Sequence, residues 1–149
     1  MRESDPDDSS VKSSAHLLIV DDNIQFGASL VTLFQRCGFT AATVRNGRSA
    51  LEYVSQRRVD ILITDIFMPN GDGLELLSEL YKRRILMRVV AMTGGEDANM
   101  PDMLQVATLM GAECTIPKPF EPQELLQMVR GMLGAPRPVT ERIKVARAG

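Results

Sequence analysis

The sequence has no tryptophan, two tyrosines, one histidine and two cysteines in 149 residues. So few large aromatics offer no base-stacking platform of the kind that single-stranded nucleic-acid binders use. Cys37 and Cys114 cannot build a disulfide framework, and with a single histidine they do not form a zinc-type ligand set. They read as two reduced, buried thiols. An excess of one charge sign is also missing: 17 Lys+Arg stand against 19 Asp+Glu, a net charge of −2. That balance excludes a strongly basic nucleic-acid binder and a polyanionic tail protein. Long apolar runs are absent too. The longest strongly apolar stretch starts at Leu17 and ends at Val20, far short of the roughly 20 residues a bilayer-spanning helix needs. The opening MRESDPDDSSVKSS lacks the apolar segment of a secretory signal. A cytoplasmic protein is expected, with no membrane contact and no direct nucleic-acid partner.

What is present is an ordinary globular composition, 44% hydrophobic and 24% charged, in a chain long enough for one domain with a full core. Residues 1–14 are rich in Ser and Asp and read as a disordered tail. Residues 135–149 contain prolines and an excess of basic groups and read as a C-terminal tail or linker. The segment 15–134 between them is a single domain of common size.

Within that segment, short apolar runs alternate with helix-period stretches. The runs are Leu17–Val20, Ala41–Val44, Ile61–Ile63, Val89–Met92 and Cys114–Ile116. Their length and lack of alternation predict strands buried on both faces. Phe26, Leu30, Leu33, Phe34 and Cys37 share one helical face, with Gly38 as a stop signal. Ala50, Leu51 and Val54 mark a second helix. Leu74, Leu77, Leu80 and Tyr81 mark a third, with Asp72 before it as N-cap. Leu104, Ala107 and Met110 mark a fourth between Pro101 and Gly111. Leu125, Val129 and Met132 mark a fifth, near Pro122. This order predicts an α/β fold with helices on both faces of a parallel sheet. Right-handed crossovers favour a flavodoxin-like, doubly wound (βα)5 sheet with strand order 2-1-3-4-5. In such folds ligands bind outside the carboxyl ends of the strands.

The polar residues fall at those ends. The first strand runs into Asp21 and Asp22, the third into Asp65, the fourth into Thr93, and the fifth through Pro117 to Lys118. Three carboxylates in one crevice repel unless a cation intervenes. A hard divalent ion such as Mg²⁺, which prefers oxygen ligands and shares phosphate oxygens, meets that need. Lys118 would take a phosphoryl oxygen, or pair with Asp65 when no phosphoryl group is bound, and Thr93 could donate to another oxygen. Phosphoryl transfer needs mainly positioning and charge neutralisation, and a carboxylate can itself be the nucleophile and form an acyl phosphate.

Asp21-Asp22, Asp65-Ile66-Phe67-Met68-Pro69 with Gly73, Thr93, and Lys118-Pro119-Phe120 together resemble the CheY-like receiver domain of two-component response regulators, over residues 15–134. The resemblance implies roles. Asp65 is the phosphoacceptor. Asp22 is the direct Mg²⁺ ligand, Asp21 acts largely through water, and the backbone carbonyl of Phe67 is a further ligand. Lys118 contacts the phosphoryl group and precedes a cis peptide bond, and Thr93 is the switch hydroxyl. The donor would be a histidine kinase, a histidine phosphotransfer protein or a small acyl phosphate. The output would be onward transfer, or a downstream protein bound on the face of the fourth helix, fifth strand and fifth helix. Such a receiver is not an enzyme beyond catalysing its own phosphorylation and dephosphorylation.

Three positions depart from the family pattern. Thr115 stands where the family has an aromatic switch residue. Phe67, two after the acceptor, is apolar, and Gly95, two after the switch threonine, has no side chain. Neither of the last two can orient an attacking water, so a fairly long-lived phosphorylated state is expected.

Blander readings stand beside these. Asp21-Asp22 could be strand-end solvation, and Thr93-Gly94-Gly95 could be a simple turn. Lys118 lies between two prolines that fix its backbone, which a surface lysine does not need. Gly71 and Gly73 serve a tight turn and the start of a helix. His16 has a surface or capping role. The methionines pack by default, with Met87, Met100 and Met103 as the ones to test for an exposed contact surface. Arg57-Arg58 and Lys82-Arg83-Arg84 read as solvated helix ends. A phosphohydrolase is disfavoured because Phe67 stands where a second acid is required, and the loops lack a phosphate-binding turn for a flavin. The leading expectation is a stand-alone regulator. The alternatives are a receiver fragment of a larger response regulator or hybrid kinase, and a phosphorylation-independent pseudo-receiver.

Overall fold

Alternate residues of each central strand point to opposite faces of the sheet, and both faces here are apolar. In the computed structural model, which describes residues 14–68, 72–94 and 100–134, the strands are β1 (His16–Val20), β2 (Thr40–Val44), β3 (Ile61–Asp65), β4 (Arg88–Gly94) and β5 (Cys114–Lys118). The helices are α1 (Ile24–Arg36), α2 (Gly47–Gln56), α3 (Asp72–Lys82), α4 (Met100–Leu109) and α5 (Pro122–Leu133). The side chains of Asp72 and of residues 100–104 lie outside the description. So do the two predicted tails except Ser14, together with Pro69, Gly71 and Gly95.

The sheet is parallel throughout, in the order β2-β1-β3-β4-β5, as expected for a flavodoxin-like receiver fold. Leu17, Ile19, Ile61 and Ile63 pack with Leu30 and Phe34 of α1 and Leu125 and Val129 of α5. Leu18, Val20 and Leu62 pack with Ala50 of α2, Leu76, Leu77 and Leu80 of α3, and Ala107 of α4. Each fully buried Leu, Ile or Phe contributes about 1.5–3 kcal/mol, so these two layers hold the sheet rigid beneath its carboxyl edge.

Several local expectations change in the structure. The five strands are not equally buried. β1 from Leu17 onward and all of β3 are buried, whereas β2 and β5 are largely half-buried or exposed, because each is an edge strand with a neighbour on one side only. Tyr81 is not part of the buried face of α3. Gly73, Leu76, Leu77 and Leu80 form the i, i+3, i+4, i+7 stripe, and Tyr81, about 100° further round, is 57% exposed. Asp72 is the first helical residue of α3 rather than the residue before it. Met87 is buried, so it adds nothing to an exposed methionine surface, and the side chains of Met100 and Met103 lie outside the description. Cys37 and Cys114 are free but half-buried rather than buried. His16 is neither a bare surface residue nor a cap: its ring bridges Thr40 Oγ1 at 2.7 Å and Tyr53 Oη at 2.5 Å.

Helix boundaries follow local chemistry. Asn23 caps α1 by accepting the Phe26 N–H at 3.1 Å, and Asn46 caps α2 by accepting the Ser49 N–H at 2.8 Å. Both satisfy donors that a helix start leaves free. At the start of α5, Glu124 accepts the Glu121 N–H at 3.0 Å. Gly38 ends α1 in the left-handed region at φ 94°, which costs glycine little.

Gly73 is required for a different reason. A Cβ there would lie 2.3 Å from the Asp65 carbonyl oxygen and 2.6 Å from Ile66 Cα, both backbone atoms that cannot move aside. The first turn of α3 therefore seats directly on the strand end that carries Asp65. Gly73→Ala is expected to destabilise the fold by about 2 kcal/mol through overpacking. Gly131→Ala, on an open stretch of α5 with nothing within 4 Å, is expected to stabilise it by about 0.5–1 kcal/mol. Urea unfolding of the two variants checks both signs.

Candidate functional site

All strands run the same way, so every carboxyl end opens on one edge. β1 ends at Val20, and the next residue, Asp21, still donates its N–H to the Val44 carbonyl at 3.1 Å. That contact extends the pairing with β2 by one residue and holds the Asp21 carboxylate inside, 1% exposed. Asp21 Oδ1 accepts the Asn23 N–H at 2.9 Å. Asp22, the next residue along, is exposed. Asp65 ends β3 and is 5% exposed, with its Oδ1 accepting the Phe67 N–H at 3.0 Å.

Lys118 ends β5, before a cis peptide bond to Pro119. Its ammonium reaches across β4's end and donates to Asp21 Oδ2 at 2.7 Å and Asp65 Oδ2 at 3.2 Å. The expected pair with Asp65 is present, but the shorter bond is to Asp21. Thr93 lies in β4, between the strands that carry Asp65 and Lys118. It is fully buried, and its Oγ1 has no hydrogen-bond partner among the described residues. A buried hydroxyl without a partner is costly and is the kind of group a ligand oxygen satisfies. Phe67 is half-buried, and its ring lies 3.7 Å from where a side chain on Gly94 would begin. Thr115 sits within β5 opposite Ala91 and is half-buried; it is not among the groups gathered at the edge.

The electrostatics follow from burial. Removal from water pushes the Asp65 carboxyl above its ordinary value, and the nearby Asp21 charge adds to this; attraction to Lys118 and the Phe67 N–H offset it only in part. Burial alone would lower Lys118, but hydrogen bonding and attraction to Asp21 and Asp65 together outweigh it and hold the ammonium above its ordinary value. Lys118 is thus a firm cation between two carboxylates, one of which is short of compensation.

Carboxylate oxygens of Asp21, Asp22 and Asp65 lie within 4.8 Å of one another. An all-oxygen donor set with an exposed member suits a hard, partly hydrated cation. Such a cation would offset the burial, and to a lesser degree the Asp21 charge, that raise the Asp65 carboxyl.

Three residues of this site had another reading or none in the sequence. Asn23 lies just ahead of an apolar-periodic helix, a cap signal, and its N–H also fixes Asp21. Phe26 belongs to the apolar face of α1, yet its ring lies 4.5 Å from Lys118 Nζ. Phe120, in the Lys118-Pro119-Phe120 motif, meets Phe26 edge-on with ring centroids 5.8 Å apart. No periodicity in α1 signals a contact with the end of β5.

The chain matches the family model described as "Response regulator receiver domain" over residues 17–130. Among curated proteins, it is 28% identical to the regulatory protein VanRc of Enterococcus gallinarum over 120 residues, 80% of this chain and 50% of that protein. It is 33% identical to the DNA-binding transcriptional regulator NtrC of Escherichia coli K12 over 111 residues, 74% of this chain and 23% of that protein. The chain therefore spans half or less of the length of these relatives. Among solved structures, chemotaxis response regulator CheY4 of Vibrio cholerae superposes with a TM-score of 0.69 at 26% identity, covering 79% of this chain and 98% of that one. The receiver domain of the TMAO respiratory system response regulator TorR superposes with a TM-score of 0.71 at 29% identity, covering 80% and 96%.

Two stability predictions follow from the charge balance, both measured with EDTA present. The folded state binds a proton at Asp65 more tightly than the unfolded state does, so an ionised Asp65 costs stability at neutral pH. That cost fades as pH falls through the raised value toward the ordinary carboxylate range. Because Lys118 keeps its shorter bond to Asp21, Asp65→Asn should therefore stabilise the fold at pH 7, with the gain shrinking on acidification in parallel thermal melts. Lys118→Met leaves two buried carboxylates unopposed and should destabilise by about 3 kcal/mol in urea unfolding at pH 7.

Proposed function

The chain belongs to the response regulator receiver domain family, and on that premise we propose that Asp65 accepts a phosphoryl group and that the change in charge switches what the domain binds. The observation that carries this reading is the Lys118 ammonium bridging two buried carboxylates at an open strand edge, with Asp65 the under-compensated one.

An Asp65 carboxylate oxygen attacks phosphorus, and an O–P bond forms. The bond from phosphorus to the donor's imidazole nitrogen, or to an acyl oxygen, breaks, and the donor leaves with that electron pair. Lys118 faces the phosphoryl oxygens as negative charge concentrates on them, and it keeps Asp21 as its second anchor. Thr93 donates its unpartnered hydroxyl to another oxygen. Asp21 and Asp22 would hold Mg²⁺ together with Asp65 and the Phe67 carbonyl; when bound, the ion neutralises charge and orients the phosphoryl group. Phe67 places an apolar ring beside the acceptor and offers no group to activate water, which favours a slow decay of the acyl phosphate.

The phosphoryl group adds nearly two negative charges and three acceptor oxygens. Drawing Thr93 and Lys118 toward it biases the edge formed by β4 and β5. The face of α4, β5 and α5 is then the readout surface for a downstream protein, and binding there and phosphorylation are reciprocally coupled. The donors this chemistry fits are a histidine kinase or a histidine phosphotransfer protein of the cytoplasm, and the phosphoryl group can also pass onward to the latter. The domain turns over no external substrate and catalyses only the gain and loss of its own phosphoryl group. The short span relative to VanRc and NtrC favours a second reading, the receiver part of a longer regulator.

Intact-mass measurement after incubation with acetyl phosphate and Mg²⁺ tests the proposal. Wild type is expected to gain one phosphoryl group, and Asp65→Asn none. Equal gain by both would place the chemistry elsewhere. No gain by either, with a histidine-kinase donor added as well, would leave a phosphorylation-independent binding module.

A further inference from the structure

We propose that Phe26 is a positioning residue for phosphoryl acceptance: its ring face, braced by Phe120, holds the Lys118 ammonium in the crevice while that ammonium exchanges an Asp65 oxygen for phosphoryl oxygens. The inference rests on the reading of Asp65 as the phosphoacceptor.

The Phe26 centroid is 4.5 Å from Lys118 Nζ, well inside the range of about 6 Å over which a ring quadrupole attracts a cation. Phe120 meets that ring at 69°, the edge-to-face arrangement aromatic pairs favour. Both rings are half-buried against the core under α1 and α5. The backbone that carries Phe26 is pinned twice. Asn23 Oδ1 accepts the Phe26 N–H. At the next residue, Gly27, a Cβ would lie 2.4 Å from Thr43 Oγ1, so α1 is seated hard against β2 at this point.

These contacts close a circuit. Asp21 accepts from the Asn23 N–H, Asn23 accepts from the Phe26 N–H, the Phe26 ring faces Lys118, and Lys118 donates back to Asp21. The ring is the one member whose attraction does not depend on the direction of an N–H bond. The hydrogen bond to Asp65 must be rearranged when phosphoryl oxygens arrive, whereas the cation–ring contact and the bond to Asp21 persist through the exchange. It also covers one side of an ammonium whose side chain is 24% exposed, where water would otherwise compete.

A ring that served only as packing would be replaceable by an aliphatic side chain of similar volume. The test therefore compares Phe26→Leu, which keeps bulk and loses the quadrupole, with Phe26→Tyr, which keeps both, in the full chain. Rates of phosphoryl uptake from acetyl phosphate with Mg²⁺ are followed by intact mass, and melting temperatures are recorded alongside. Phe26→Leu should slow uptake about three- to tenfold, and Phe26→Tyr should stay within about twofold of wild type. A second readout needs no phosphodonor: the Lys118 ε-methylene protons should be shifted upfield by the ring in wild type and Phe26→Tyr, and lose that shift in Phe26→Leu. If Phe26→Leu fails to fold, Phe26→Met takes its place.

Unchanged uptake in Phe26→Leu, or equal slowing in the leucine and tyrosine variants, would overturn the proposal. A wild type that takes up no phosphoryl group would overturn the functional reading instead. The clamp would then be judged on the proton shift, and a Lys118 methylene with no upfield displacement would dismiss it.

Discussion

The structure of the strand edge depends on one buried charge arrangement, the Lys118 ammonium set between Asp21 and Asp65. Two carboxylates that are almost inaccessible to water would repel each other and lose hydration together. The ammonium makes their approach tolerable, but Asp65 still sits above its ordinary value. That residual imbalance is useful. A fully compensated site would have little to gain from a divalent ion, whereas here a cation would offset what raises Asp65. The Thr93 hydroxyl, without a partner among the described residues, adds a second unmet demand at the same edge.

Holding three charges in this relation requires a rigid frame. Parallel pairing brings β1, β3 and β5 to one edge, and β4 spaces the latter two. The two apolar layers fix the strands from both faces. Finer placement comes from contacts with no slack. Gly73 lets α3 rest on the Asp65 backbone, Gly27 lets α1 rest on Thr43, and the Asn23 cap ties the start of α1 to Asp21. The same glycines and caps that terminate or seat helices therefore also aim the site.

Much of this was legible in the chain itself, because hydrophobic periodicity and strand-end placement are local properties. The five apolar runs, the five helical stretches and the residues just past each strand are read directly, and βαβ handedness leaves few ways to assemble them. Less legible was how unequally the strands are buried, since a run of the same composition serves at the centre, as in β3, or at the edge, as in β2. Neighbouring helical positions differ by only about 100°, so the sequence pattern does not separate Tyr81 from the buried stripe of α3. Met87 stands beside a basic turn and carries no periodic signal, so its burial is not readable along the chain.

By itself the sequence determined which chemical groups occur and at which strand ends, and therefore a parallel α/β sheet with acidic residues, a threonine and a lysine gathered on one edge. The pair of Lys118 with Asp65 follows from that placement, but the tertiary structure alone decided that Lys118 is shared with Asp21. Lys118 is separated by 97 residues from Asp21 and 53 from Asp65, and only the packed sheet shows that it bonds to both, more closely to the first. Likewise, only the packing of α1 beside the end of β5 reveals that Phe26 faces that ammonium. Contacts of this kind arise from the distance between elements and the direction of side chains, neither of which is encoded in any local pattern along the chain.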